Sequence, residues 1–209
     1  MLPVMAAAQE IDLVAPGILI WQVYDQVVRA DLFSTALETG EGRYLIDPVE
    51  LGAEALKVLR TGQKVKGIVV TNENHERATK RFAERFSVPI YIHGALRETV
   101  ALQRTVELED SEEIEPGLTA VAIPGAPAGE IALHYEDNGG TLVIGDALIN
   151  FEPYGFGLLP AKYCSDYKVM RRSLPKLLDY AFERMLFAHG TPILSGARAR
   201  LELLLAANL

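Results

Sequence analysis

The order of elements written into this chain constrains its fold more than any single figure of composition. Strand-like runs come first, and strands then alternate with amphipathic helices. Residues 18–24 and 30–37 are short, β-rich and separated by polar residues. The run 43–46 leads straight into Asp47-Pro48, where proline ends a pairing ladder. Residues 49–60 carry Leu51, Ala55, Val58 and Leu59 at helical spacing, Thr61-Gly62 stops them, and 67–71 reads as a buried strand. The clearest helix is expected over 75–86, where Ala78, Phe82, Ala83 and Phe86 share one stripe. A strand at 88–92, a short helix at 96–102 and an acidic connector at 107–115 follow, then strands at 118–123, 130–135 and 141–144. An aperiodic loop at 151–164, a helix at 168–182, a strand at 185–188 and a closing helix capped by Ser195 complete the pattern. This order predicts an α/β domain whose sheets are covered by helices. No repeat or linker divides the 209 residues, so 1–209 is expected to be one domain.

Charge and cysteine content narrow the function. Twenty Lys and Arg against 28 Asp and Glu give a net charge of −8, which opposes general binding to nucleic acid or to an anionic membrane. The one cysteine, Cys164, excludes an internal disulfide framework and a cysteine-rich zinc module. No apolar run approaches the roughly 20 residues that cross a bilayer. The first fourteen residues lack a basic flank and meet Glu10 and Asp12 early, unlike a signal peptide. A cytoplasmic location and a small-molecule ligand or substrate are therefore expected, and nothing in the sequence sets an oligomeric state.

In an α/β domain, ligands gather at loops just past strand C-termini. Four such ends are rich in polar or turn residues: Thr71-Asn72-Glu73-Asn74-His75-Glu76-Arg77, Pro124-Gly125-Ala126-Pro127-Ala128-Gly129, Gly145-Asp146 and His189-Gly190-Thr191-Pro192. Their order, spacing and turn residues resemble the metallo-β-lactamase superfamily. Its signature is T-H-x-H-x-D-H at one strand end, then a P-G-H-T-P-G turn, then G-D, then a late G-H-G or similar. The likeness covers nearly all of the chain and implies a four-layer αββα sandwich with one or two metal ions between the sheet edges.

The resemblance also shows where this chain departs. Aligned on Thr71, two histidines become Asn72 and Asn74, the aspartate becomes Glu76, the third histidine becomes Arg77, and the turn histidine becomes Ala126. Asp146, at the place of the bridging carboxylate, and His189 keep the residue types of the family. Zinc prefers imidazole and thiolate donors, and a guanidinium binds no cation. The sequence therefore predicts that the dinuclear zinc is lost and no cofactor is bound. Arg77 is expected to supply the missing positive charge, pairing with Asp146 and with Glu76. On this reading the protein is a small-molecule-binding or regulatory relative. Its cleft is expected to use Asn72, Asn74, Glu76, Arg77, Tyr154, Phe156 and Tyr163, with Asp146 and His189 as the candidate catalytic pair. The alternative is a hydrolase of an ester, thioester or phosphoester. It would hold one divalent cation (Mn, Mg, Ca or Zn) in an oxygen-rich site of Asn72, Asn74, Glu76, Asp146 and His189. A metal-free hydrolase with His189 as base lacks an evident nucleophile.

Other polar residues have plainer readings. Asn74 sits where a helix N-cap is expected, and His75 is expected on the surface at the helix start. Using His75 as a ligand breaks the spacing of the motif. His93 and His134 are expected to be structural, Asp47 to terminate its strand, and Cys164 to be an ordinary free thiol.

Overall fold

The computed structural model of the chain describes residues 6–151 and 155–208. Seven strands form the first sheet in chain order: β1 (Asp12–Ala15), β2 (Ile18–Asp25), β3 (Ala30–Glu38), β4 (Arg43–Ile46), β5 (Val65–Val70), β6 (Ile90–His93) and β7 (Thr105–Leu108). Pairing is antiparallel as far as β4 and parallel from β4 to β7. The second sheet uses β8 (Glu113–Glu115), β9 (Leu118–Ala122), β10 (Ile131–Tyr135), β11 (Thr141–Ile144) and a later strand β14 (Arg184–Phe187), in the order β14-β11-β10-β9-β8. Between β11 and β14 lies a two-stranded ribbon of β12 (Leu148–Phe151) and β13 (Gly155–Leu158). Helices α1 (Ala53–Arg60) and α2 (Thr79–Phe86) lie on the first sheet. Helices α3 (Tyr167–Ser173) and α4 (Ala197–Asn208) lie on the second. Among the described residues, no helix is long and apolar enough to cross a membrane.

The layering follows from strand periodicity, because successive side chains point to opposite faces. In β2, Ile18 and Ile20 join the core between the sheets, while Leu19, Trp21 and Val23 join the core under α1 and α2. In β11, Val143 faces the first sheet and Leu142 and Ile144 face α3 and α4. Strands buried on both faces read as continuous apolar runs, and covering both outer faces with helices gives the expected αββα sandwich.

Several local expectations shift. The helix expected from residue 49 starts at Ala53, and the one expected from residue 75 starts at Thr79. Asn74 is not its cap: Ala78 takes that place without a side-chain bond, and the backbone over 71–78 is occupied in building the site. The segment 96–102 holds only the end of a 3₁₀ turn, Gly94–Leu96. The acidic connector includes strand β8, and the loop 151–164 contains β13. The helix expected over 168–182 becomes α3 followed by a 3₁₀ turn, Leu174–Asp179, because Pro175 lacks the N–H that an α-helix needs.

The turn at Gly125 anchors α3. Gly125 has φ +90°, its carbonyl accepts from Asp166 N at 2.9 Å, and Asp166 caps α3 by accepting from Lys168 N and Val169 N. A Cβ on Gly125 would lie 2.3 Å from Met170 N and 2.4 Å from Asp166 O, both backbone atoms. Gly125→Ala is expected to cost more than the roughly 1–3 kcal/mol of a strained φ, because the helix must also shift. Chemical denaturation measures this, and an unchanged midpoint would contradict the packing.

Candidate functional site

Five strand ends and turns meet at one edge of the sandwich. Asp47 follows β4, Thr71 to Arg77 follow β5, Asp146 follows β11 through Gly145, His189 follows β14, and Glu130 precedes β10. The two sheets are tied together here. Phe33 N of β3 donates to Ala188 O at 2.9 Å, and Ile131 N of β10 donates to Thr71 O at 2.8 Å.

His75 is the centre of the arrangement and is only 1% exposed, which corrects its expected surface position. The segment 71–78 turns into the protein before α2 begins and carries the imidazole inward. His75 Nδ1 lies 2.9 Å from Asp47 Oδ2, and the Thr71 hydroxyl donates to the same Asp47 oxygen at 2.5 Å. Asp47 Oδ1 accepts from Thr71 N at 2.9 Å. The nearby carboxylate holds a proton on Nδ1 and aims Nε2 at the cleft. There, His75 Nε2 is 3.3 Å from His189 Nε2 and 3.3 Å from Asp146 Oδ1, and His189 Nε2 is 3.4 Å from Asp146 Oδ1. These spacings exceed the usual hydrogen-bond range of about 2.7–3.2 Å. A tetrahedral ion with bonds of about 2.0–2.1 Å sets its ligand atoms about 3.3–3.4 Å apart. The His75, Asp146 and His189 atoms lie within 4.8 Å of one another and can hold one metal ion. Motif spacing argued against His75 as a ligand, yet its Nε2 lies beside Asp146 and His189: spacing along the chain does not fix where a turn delivers a side chain.

The other positions predicted from the sequence divide. Asn72 is buried, and its Nδ2 donates to Glu130 Oε2 at 2.7 Å and to Asp146 Oδ2 at 3.1 Å. Its Oδ1 accepts from Asn74 N at 2.8 Å. Arg77 does not pair with Asp146 or Glu76. Its guanidinium donates to the carbonyls of Phe33, Asp47 and Ala188, at 3.0 Å for Asp47 and 3.4 Å for Ala188. Those carbonyls follow from the closeness of three strand ends, which no local sequence reading contains. Asn74 and Tyr163 line a cleft of about 750 Å³ together with His75, Asp146 and His189, whereas Glu76 is half-buried and outside that lining. Phe156 also stays out of the cleft and packs against Phe187, with ring centroids 5.8 Å apart. Tyr154 lies outside the described residues.

The residues missed are Asp47, Thr71, His75 and Glu130. A signal existed for Asp47, as an aspartate at a strand end before proline, but strand termination explained it equally well. His93 and His134 lie elsewhere: His93 Nδ1 accepts from Ala95 N, and His134 Nε2 meets Ala181 O at 2.8 Å. Burial pushes the Cys164 thiol up, away from the thiolate that a nucleophile needs.

For a second ion beside Asp146, the donor set does not fit. Asn72 presents N–H groups there, Ala126 is buried and offers no donor, and Asn74 is exposed at the cleft wall.

Charges in the site are strongly coupled. Burial, the largest single influence, pushes His75 towards its neutral form and Arg77 adds to it, but Asp146 and Asp47 together outweigh them and lift the pKa to about 9. Burial also favours neutral Asp146, yet His75 and His189 hold it well below the usual carboxylate range. Burial and the charge of Asp146 push Glu130 up to about 8. His189 falls to about 4 through burial and the nearby His75 and Arg77.

In the metal-free chain, His75 therefore keeps its proton up to about pH 9, against 6.5 unfolded, and Glu130 up to about 8, against 4.5. Folded protein holds more protons than unfolded protein across this window, so stability falls as pH rises from about 6.5 to 9. Below 6.5, His189 acts in the opposite direction and offsets Glu130. The contribution of His75 is on the order of 3 kcal/mol. Denaturation of chelator-stripped protein at pH 6.5, 8 and 9 measures it. A flat profile, or an unchanged slope above pH 8 in His75→Gln, would sink the assignment.

Comparison with known proteins agrees with this architecture. The sequence model of the metallo-beta-lactamase superfamily matches residues 11–208. Among curated proteins, none matches the chain. A metallo-beta-lactamase family protein from Thermus thermophilus shares 22% identity at a TM-score of 0.69, covering 94% of this chain and 80% of that one. A metallo-beta-lactamase from Pontibacter korlensis shares 16% at 0.73, covering 96% and 99%. A further neighbour, solved in a di-iron-bound form, shares 23% at 0.61, covering 86% and 97%. At such identities these likenesses show the fold alone. The family match runs over nearly the whole chain, and with the sandwich and the order of the strand-end residues it establishes that the chain belongs to the metallo-β-lactamase superfamily.

Proposed function

We propose that this protein is a metal-dependent hydrolase working with one ion, held by His75 Nε2, Asp146 Oδ1 and His189 Nε2. The observation that carries this reading is the triangle of 3.3, 3.3 and 3.4 Å among those three atoms. Three protein donors with a fourth position open to the cleft is the arrangement of catalytic rather than structural zinc. An ion there supplies Lewis acidity and lowers the pKa of bound water. Asp47 orients the His75 ring and keeps Nε2 directed at the ion, while Thr71 steadies Asp47. This donor set replaces the oxygen-rich one expected from the sequence, with His75 in place of Asn72, Asn74 and Glu76.

The cleft supports an ester, thioester or phosphoester with an apolar body and an anionic group. Leu32, Ile149 and Leu159 give it an apolar wall, and Arg29 and Lys162 bring positive charge to its lining in a chain whose net charge is −8. Among the described residues, Asp146 is the one acidic residue of that lining, and its Oδ1 faces the two imidazoles.

A second reading keeps the protein metal-free, as a small-molecule-binding or regulatory relative. It is favoured by the His75 proton, since an imidazolium between Asp47 and Asp146 balances the buried carboxylates without an ion. Metal uptake separates the two. On the hydrolase reading, chelator-stripped protein takes up Zn²⁺ or Mn²⁺ with a rise in thermal midpoint, worth about 2.7 kcal/mol at a hundredfold excess over Kd. His75→Ala abolishes uptake, whereas Glu76→Ala leaves it unchanged. Because the ion must displace the His75 proton, affinity rises about tenfold per pH unit from 7 towards 9. Absence of uptake from every divalent ion, together with no turnover of anionic esters, would leave the binding protein.

A further inference from the structure

The buried carboxylate of Glu130 has no place in the triangle, yet its bonds converge on one ligand. Glu130 Oε1 accepts from Asp146 N at 2.6 Å and Ala147 N at 3.0 Å, so it grips the backbone turn that carries Asp146. Glu130 Oε2 accepts from Asn72 Nδ2, and the same amide nitrogen reaches Asp146 Oδ2. With Oδ2 engaged, Asp146 offers Oδ1 to the two histidines.

The arrangement leaves no slack. Gly145 admits no side chain, since a Cβ there would lie 2.7 Å from both Glu130 Oε1 and Thr71 Oγ1. A second ion bridged by Asp146 would need Oδ2, where Asn72 places an N–H donor instead of a lone pair. The other side of the amide cannot be turned to that ion cheaply, because Asn72 Oδ1 is held by Asn74 N.

We propose that Glu130 is the positioning residue of the metal centre. Through the Asp146 turn and through Asn72, it fixes one-oxygen ligation by Asp146 and closes the adjoining space to a second ion. This rests on the one-ion reading above. Glu130 touches neither the ion nor a substrate; it acts through Asp146.

The test uses the full chain, stripped with chelator and titrated with Co²⁺, followed by visible absorption and elemental analysis. Wild type is expected to saturate at one Co²⁺ per chain. Glu130→Gln turns an acceptor into a donor facing Asn72, and Asn72→Ala removes the bond to Asp146 Oδ2. Each is expected to weaken Co²⁺ binding about 10–100-fold and to change the d–d spectrum, as losing a partner that orients a metal ligand does. Circular dichroism confirms folding at the assay temperature, and if Glu130→Gln fails to fold, Asn72→Ala decides alone. Two tightly bound Co²⁺ in wild type overturns the closure while leaving metal binding intact. Folded variants with wild-type affinity and spectrum overturn the positioning role. No Co²⁺ uptake by wild type overturns the one-ion reading itself, and the inference falls with it.

Discussion

The hydrogen bond between Asp47 and His75 is the interaction on which the rest of the site depends. Asp47 is 2% exposed and accepts from Thr71 N, the Thr71 hydroxyl and the imidazole, so its charge is buried with its donors in place. Its own carbonyl accepts from Arg77. One residue thereby holds both ends of the segment 71–77 against the end of β4. Asp47 and Arg77 lie in the left-handed region, at φ +48° and +41°. Non-glycine residues hold such conformations where surrounding bonds over-determine them, and here those bonds are the ones that present His75 to the cleft.

The site is also a small electrostatic network. Asp47 and Asp146 press on His75 from both sides, and the half-buried Arg77 adds a positive charge whose donors are taken up by carbonyls. A proton on His75 Nε2 and a divalent ion at the same nitrogen are alternatives, since both use one lone pair. The same carboxylates that raise the affinity of His75 for a proton also favour a cation in the triangle. On the metal-free reading, the role assigned to Arg77 from the sequence, positive charge in the place of an ion, falls to His75. Arg77 itself ties β3, β4 and β14 together.

The fold was legible for a physical reason. The continuous apolar runs in β2 and β11 state that both faces of each sheet are covered, and strand–helix alternation states what covers them. The turn residues at Gly125 and Gly145 were legible too, as parts of the Pro-Gly turn and the Gly-Asp strand end, and each occupies a place where a Cβ would meet neighbouring atoms. Helix starts were less so. The apolar stripe of 75–86 continues across a segment that is not helical before Thr79, and the bonds that unwind it come from Asp47, 24 to 28 residues earlier in the chain.

What the sequence determined by itself is an α/β domain with helix-covered sheets, the strand ends that carry polar residues, and the presence of Asp146 and His189 among them. Those follow from periodicity and local turn chemistry, whereas the four-layer sandwich was implied by the resemblance of the motif order to the metallo-β-lactamase superfamily. Only the tertiary structure decided which side chains converge. It brought His75 in from a position that motif spacing excludes, sent Arg77 to backbone carbonyls, and paired Glu130 with Asn72 across 58 residues of chain. The reason is that a ligand set is a matter of distances of a few ångströms between separate strand ends. Those distances depend on how two sheets pack and how the turn over 71–78 is pinned, which no local pattern of residues encodes.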